Sequence, residues 1–341
     1  VAALKAAPTN SVAITQSAIK AAPSFANEIT AAAIKTSPSI AADIAKGTTG
    51  TAEATTVMRD GDKKALVAAI IVAAAKGDTA AIALMTAAAI KADPASAVSI
   101  TSVVVDLIKK DQKMMIAVTS AAVKASPLAA PAITAVVVKA LPDKRKAGEV
   151  AAAAIIANPS AAVAITQATL ANYTKNLRRG NIDLYLVENI LNVAPVSTLS
   201  DLVAIFTPVV AERHVTSLTG IAMYALMNNE KDNTVRKNLA VDITSAAVKA
   251  EPSQAIGITA AAIYASKSFA SVQDITTAAA TALPAQKAEI MAKAPKAKPS
   301  IYMPYTGGYV VTKVTTPTPT NSGTGSGGGG GGCDVRRASC S

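Results

Sequence analysis

A fifteen-residue sentence recurs along this chain and restricts its fold more than any other feature. Residues 8–23 read PTNSVAITQSAIKAAP, and residues 23–38 read PSFANEITAAAIKTSP. The marker is an aliphatic residue followed by Thr, then small residues, another aliphatic, often Lys, and a Pro. It occurs at Ile14-Thr15, Ile29-Thr30, Met85-Thr86, Ile100-Thr101, Val118-Thr119, Ile133-Thr134, Ile165-Thr166, Ile243-Thr244, Ile258-Thr259 and Ile275-Thr276, with degenerate copies at Ile44, Ile70 and Val150. Markers at 14, 29 and 44, and at 70, 85 and 100, are 15 apart; from 100 to 165 the steps run 18, 15, 17 and 15. Fifteen residues hold one helix and a tight link, not two helices. Where 15 alternates with 17 or 18, the unit is 32–33 residues, the length of a helix hairpin in an α-solenoid.

Proline supplies the punctuation. Pro8, Pro23, Pro38, Pro94, Pro127, Pro159 and Pro252 each precede the marker aliphatic by six residues. Pro suits the first helical position, where its missing N–H is not needed, and it pushes the residue before it out of the helical region. One Pro therefore ends one helix and starts the next. Ser37, Asp93, Ser126 and Asn158 stand immediately before such prolines and are expected as N-caps. Apolar residues follow at spacings of three and four within each unit, and the predicted helices of about 11 residues are too short to stand alone in water. Each must be completed by its neighbours.

Composition agrees with close-packed helices. Just over half of the 341 residues are apolar, aromatics are 3%, Trp is absent and there is one His. The apolar residues are mostly Ala, the best helix former but a small core filler, so side-chain layers between helices should be thin. The longest apolar run, residues 65–75, stops at Lys76-Gly77 and falls short of a membrane span.

The expected fold is all-α: an α-solenoid-like array of short Pro-punctuated helices ending in an extended or disordered tail. Residues 1–172 and 242–294 carry the regular repeat, with a polar, Gly-punctuated loop excursion over 46–64. Residues 173–241 have more charge and larger side chains and read as a diverged helical segment. Residues 295–341 hold five of the 17 prolines and ten of the 18 glycines. There, YVVTKV (309–314) has strand character, and TTPTPTNSGTGSGGGGGG is a linker by composition. The opening VAALKAAP matches the second half of a repeat, which suggests removal of an upstream segment.

Little in the chain resembles a reaction centre. His214, between Arg213 and Val215, has no companion nucleophile or metal set, and a surface histidine is the simpler reading. No phosphate-cradling loop, dinucleotide fingerprint or HExxH occurs, so neither cofactor nor metal is expected. RRAS around Ser339 resembles a basic-directed kinase site, but matches of this length arise by chance. Cys333 and Cys340 are the only cysteines and are candidates for a disulfide in an oxidising compartment.

The net charge of +11 favours acidic partners. Lys20, Lys35, Lys91, Lys124, Lys139 and Lys249 fall in the last turns of predicted helices, where a cation suits the helix dipole. Stacked in register, they would form a ridge able to hold an anionic polysaccharide, a lipid surface or nucleic acid, although the lack of interleaved aromatics counts against single-stranded nucleic acid. The recurrent marker Thr is expected to bond back to its own helix rather than to present a recognition surface. The functional expectation is a non-enzymatic structural protein, secreted or at the cell surface, assembling with copies of itself into a layer, filament or sheath. A binding scaffold for an anionic polymer is the alternative.

Overall fold

A computed structural model describes residues 10–21, 29, 79–92, 94–173 and 182–299. These residues are all-helical and contain no β-strand. In chain order the helices are α1 (Ser11–Ala21), α2 (Thr79–Ala92), α3 (Ala97–Ile108), α4 (Gln112–Ala125), α5 (Ala130–Ala140), α6 (Ala147–Ala157), α7 (Ala162–Tyr173), α8 (Leu184–Leu191), α9 (Leu199–Phe206), α10 (Val215–Asn229), α11 (Asn233–Ala250), α12 (Ala255–Ser266), α13 (Val272–Ala282) and α14 (Lys287–Lys293). The loop excursion at 46–64, Lys35, and the tail with YVVTKV, Cys333 and Cys340 lie outside the described residues. By contacts, Val1–Pro304 form one unit and Tyr305–Ser341 a second.

Proline punctuates the array in a way that refines the sequence expectation. Pro127, Pro159, Pro252 and Pro284 each open a 3-10 turn of three residues, and the α-helix begins only after it. A single residue links the preceding helix to that turn. Ser126, Asn158, Glu251 and Leu283 share one backbone geometry, with φ/ψ of −136/79, −142/82, −139/78 and −131/77°. Each N–H closes the helix behind it, and each carbonyl accepts from the turn ahead. The corner thus satisfies its own polar groups. Ser126 and Asn158 consequently do not act as the expected side-chain caps. Side-chain caps occur at longer connections instead: Asp111, Asp183 and Asp232 accept from first-turn amides, and Ser271 forms a capping box with Asp274.

From α2 to α14 each helix packs against the helix two places along, and most also touch the next one. Even-numbered helices α2 to α14 make one rank, and odd-numbered helices α3 to α13 make the other. Polar bonds between partners one hairpin apart show that neighbours within a rank run parallel. Asn158 Nδ2 donates to Pro127 O at 2.9 Å, Asn229 Nδ2 to Asn192 O at 2.9 Å, and Gln254 Nε2 to Glu212 Oε1 at 2.7 Å. Lys237 Nζ lies 3.1 Å from Asp274 Oδ1, joining the starts of α11 and α13. All even helices therefore end at one edge (edge A) and all odd helices at the opposite edge (edge B).

The core between the ranks is continuous. Ile100, Val118, Ile133, Val150, Ile165, Leu202, Ile243, Ile258 and Ile275 are buried. The described part of the segment expected to be divergent, residues 182–241, is therefore built into the same ranks, and α11 runs through residue 241 without a break. Arg236 secures the passage from α10 to α11. Its guanidinium donates to Met227 O (2.8 Å), Glu230 O (2.6 Å) and Asn233 Oδ1 (3.1 Å), and it sits 6.0 Å from the Phe269 ring centroid. Carbonyls left over at the end of α10 thereby find donors.

The marker Thr is a core residue with an internal partner. Thr86, Thr101, Thr119, Thr134, Thr166, Thr244 and Thr259 are buried, and each hydroxyl donates to the carbonyl four residues earlier at 2.6–2.8 Å. Thr219 in α10 does the same at 3.2 Å and marks a copy, Leu218-Thr219, inside the divergent segment. Because the accepting carbonyl also serves the helix, Thr134→Val should change stability by no more than ~1 kcal/mol. Chemical denaturation checks this, and a loss well above ~1.5 kcal/mol would show that the hydroxyl acts beyond its own helix.

Candidate functional site

The two edges decide what the repeat-phased lysines can do. Lys91, Lys124, Lys139 and Lys249 are exposed and lie in last turns, as the dipole argument expects. Lys20 is the penultimate residue of α1. Lys91 and Lys124 end α2 and α4, neighbours in the even rank, and so stand together at edge A. The matching position in α6 is Ile156, 40% exposed, which interrupts the column. Lys139 and Lys249 end α5 and α11 in the odd rank and lie at edge B, with α7 and α9 between them. The structure thus brings Lys91 and Lys124 together and divides Lys139 and Lys249 from them.

The division follows from a change of phase. In the first half, the tight proline corners lead from even to odd helices, at edge A. In the second half, Pro252 and Pro284 lead from odd to even helices, at edge B. Three helices, α8 to α10, lie between the two sets of hairpins. An odd number of added helices exchanges the edges at which equivalent corners fall.

His214 ends the 3-10 turn Glu212–His214 that leads into α10. Arg213 Nε donates to His214 Nε2 at 3.2 Å, and Glu212 is held by Gln254. All three members of this trio are thus engaged in structural bonds. Among the described residues, no group of three or more His, Cys, Asp or Glu could hold a metal ion. None of the described helices is long and apolar enough to cross a membrane.

A polar cluster at edge B, missed by repeat-phased reading, joins the starts of α6 and α8. Glu149 Oε1 accepts from Lys146 Nζ (2.6 Å) and from the Tyr185 hydroxyl (3.0 Å). Burial first, and Glu149 second, push the Tyr185 phenol above its ordinary range; burial and then Asp183 do the same for Tyr173. Both phenols therefore stay protonated, and that of Tyr185 donates to Glu149. The connection between α5 and α6 adds Asp143 and Arg145, paired through Arg145 Nε to Oδ1 (3.1 Å) and Nη2 to Oδ2 (3.2 Å). The cluster braces two helices and has no unused nucleophile.

Glu188 in α8 has a different problem. Burial alone pushes its carboxyl above the ordinary value of 4.5. A carboxyl raised by folding binds its proton more readily in the native state, so this residue's contribution to stability falls as pH rises from 4.5 through the native pKa. Glu188→Gln should raise Tm at pH 7 and lose that advantage well below pH 4.5. An equal gain at both pH values would assign the effect to packing.

Comparisons with family models, with curated proteins and with solved structures find no match.

Proposed function

We propose that this chain is a structural protein that assembles with copies of itself into a surface layer, filament or sheath. Its described helices are read as an α-solenoid of hairpins. The observation that carries the proposal is how the buried polar groups are used. The marker threonines are consumed within their own helices, and the side-chain bonds between repeats hold neighbouring corners together. Chemistry-bearing side chains are spent on regularity. The reading assigns the chain no reaction and places it outside the cell or at its surface. In that oxidising setting, Cys333 and Cys340 would pair with each other or crosslink copies.

The last described helix narrows where copies would meet. In α14 only Ile290 is buried, while Lys287, Glu289 and Lys293 are exposed and Glu289 pairs with Lys293. A polar outer face of this kind caps a repeat array. Copies would accordingly join through the edges or the sides of the ranks, not by stacking on α14. Negative-stain imaging and sedimentation across salt and pH test the proposal. Ordered assemblies are expected; dispersed monomers under every condition would sink it.

The second reading is a scaffold whose basic surface holds an anionic polymer. It is favoured by Lys91 and Lys124, exposed on adjacent helices of one rank.

A further inference from the structure

We infer that edge A, over the corners that end α2, α4 and α6, is a docking surface for an anionic lipid bilayer, with Leu128 entering the headgroup region and Lys91 and Lys124 meeting lipid charge beside it. The inference rests on the scaffold reading and names its anionic partner. It does not depend on self-assembly.

The surface is built from hairpin corners. The corner at Pro127 is held to the next one by Asn158 Nδ2, which donates to Pro127 O at 2.9 Å. At Pro94, Pro159, Pro252 and Pro284 the residue after the proline is Ala95, Ser160, Ser253 or Ala285. At Pro127 it is Leu128, which is fully exposed. Ile156, at the place in α6 that Lys124 has in α4, adds a second exposed aliphatic one rank step away. Lys91 and Lys124 flank them, and neither has an ion-pair partner among the described residues. Residues 124–132 and 154–164, which form the α4–α5 and α6–α7 corners, contain Lys124 and no carboxylate. Asp93, in the α2–α3 corner, lies outside the described residues. Carboxylates stand farther along the edge, at half-buried Glu188, at Asp201 in the first turn of α9, and at Glu230 and Asp232 between α10 and α11.

The pairing of apolar and cationic groups selects the partner. A soluble polyanion would pair with the lysines but leave Leu128 and Ile156 in water. The same edge of a second copy would cover both aliphatics but set lysines against lysines. An anionic bilayer supplies charge at its surface and apolar chains beneath, and attachment to it scales with buried apolar area plus basic charge. Packed helices stand ~8–10 Å apart, so neighbouring corners can meet one lipid surface.

The test uses the full chain with vesicles of phosphatidylcholine and phosphatidylserine, vesicles of phosphatidylcholine alone, and dextran sulfate as a soluble polyanion. The mixed vesicles should bind at low salt and more tightly than the neutral ones. Leu128→Ser should weaken that binding by about tenfold or more, because the lost contact is a whole leucine side chain. Lys91→Gln with Lys124→Gln should weaken it by about tenfold at low salt and less at high salt. Leu107→Ser, which alters an exposed leucine at edge B, should leave it unchanged. The chain has no Trp, so Leu128→Trp places a single reporter at the corner, and its emission should shift to the blue on mixed vesicles but not on dextran sulfate. Circular dichroism checks that the variants fold. Binding of dextran sulfate without vesicles would overturn this inference and keep the scaffold reading. Unshifted emission, or equal loss in the Leu107 and Leu128 variants, would overturn it as well. Leu128→Ser that breaks up lipid-free assemblies and leaves vesicle binding intact would assign the corner to contact between copies and overturn it too. No binding to any probe would end both readings.

Discussion

Replacing Gly148 with valine is expected to split the unfolding of this protein into two transitions. Gly148 lies in α6 against α8. A Cβ built there would stand 2.8 Å from Leu186 Cα and 3.2 Å from both Leu186 O and Asn189 Cβ. Two of those atoms are backbone, so no rotamer change relieves the contact, and the helices must separate. Overpacking typically costs ~1–3 kcal/mol, and a β-branched side chain against backbone belongs at or beyond the upper end. In a repeat array, stability is a sum of units and nearest-neighbour interfaces, so weakening one interface uncouples the parts on either side. Gly148→Ala should lower Tm with a single transition. Gly148→Val should give a biphasic calorimetric trace, with hydrogen exchange accelerated first in α6 and α8. An unchanged, single transition for the valine variant would mean that α6 and α8 are not held at the distance described.

Phe206→Ala is expected to lower Tm by about 10 °C. Phe206 ends α9, is fully buried, and is the largest of the fully buried side chains among the described residues. Removal of a buried phenyl ring costs ~3–5 kcal/mol, and 1 kcal/mol shifts Tm by ~2–4 °C in domains of 150–250 residues. The position matters as well as the volume. Elsewhere the ranks close mostly over Ala, Val and Ile. Around α9 they close over Leu199, Leu202, Val203 and Phe206, with Leu218 and Met223 in α10. Phe206→Leu should cost roughly half as much or less. A shift below ~2 °C for the alanine variant would indicate that the segment collapses onto the cavity or is not packed as described.

Most of the local architecture was legible in the residues. Pro127, Pro159 and Pro252 mark corners because a missing N–H and a restricted φ act wherever the residue stands. Thr134 could be read as self-bonded because its acceptor is four residues away in the same helix. Lys124 and Lys249 could be assigned to last turns for the same reason. The Leu218-Thr219 copy is hidden in the sequence by larger flanking residues such as Met223 and Tyr224. Asn158 stands before Pro, where a cap fits, but the neighbouring hairpin offers its side chain a carbonyl 31 residues away.

The linear order of residues by itself determined that the described residues are helical, the places where helices stop, and the need of each helix for neighbours. These follow from interactions that close within four or five residues. Tertiary structure alone decided which helices share a rank, that α8 to α10 reverse the phase of the hairpins, and that Lys139 and Lys249 stand at the edge opposite Lys91 and Lys124. It also decided that Gly148 is a point of contact rather than a gap. Those outcomes depend on how many helices intervene and on how closely two backbones approach, which no short stretch of sequence encodes.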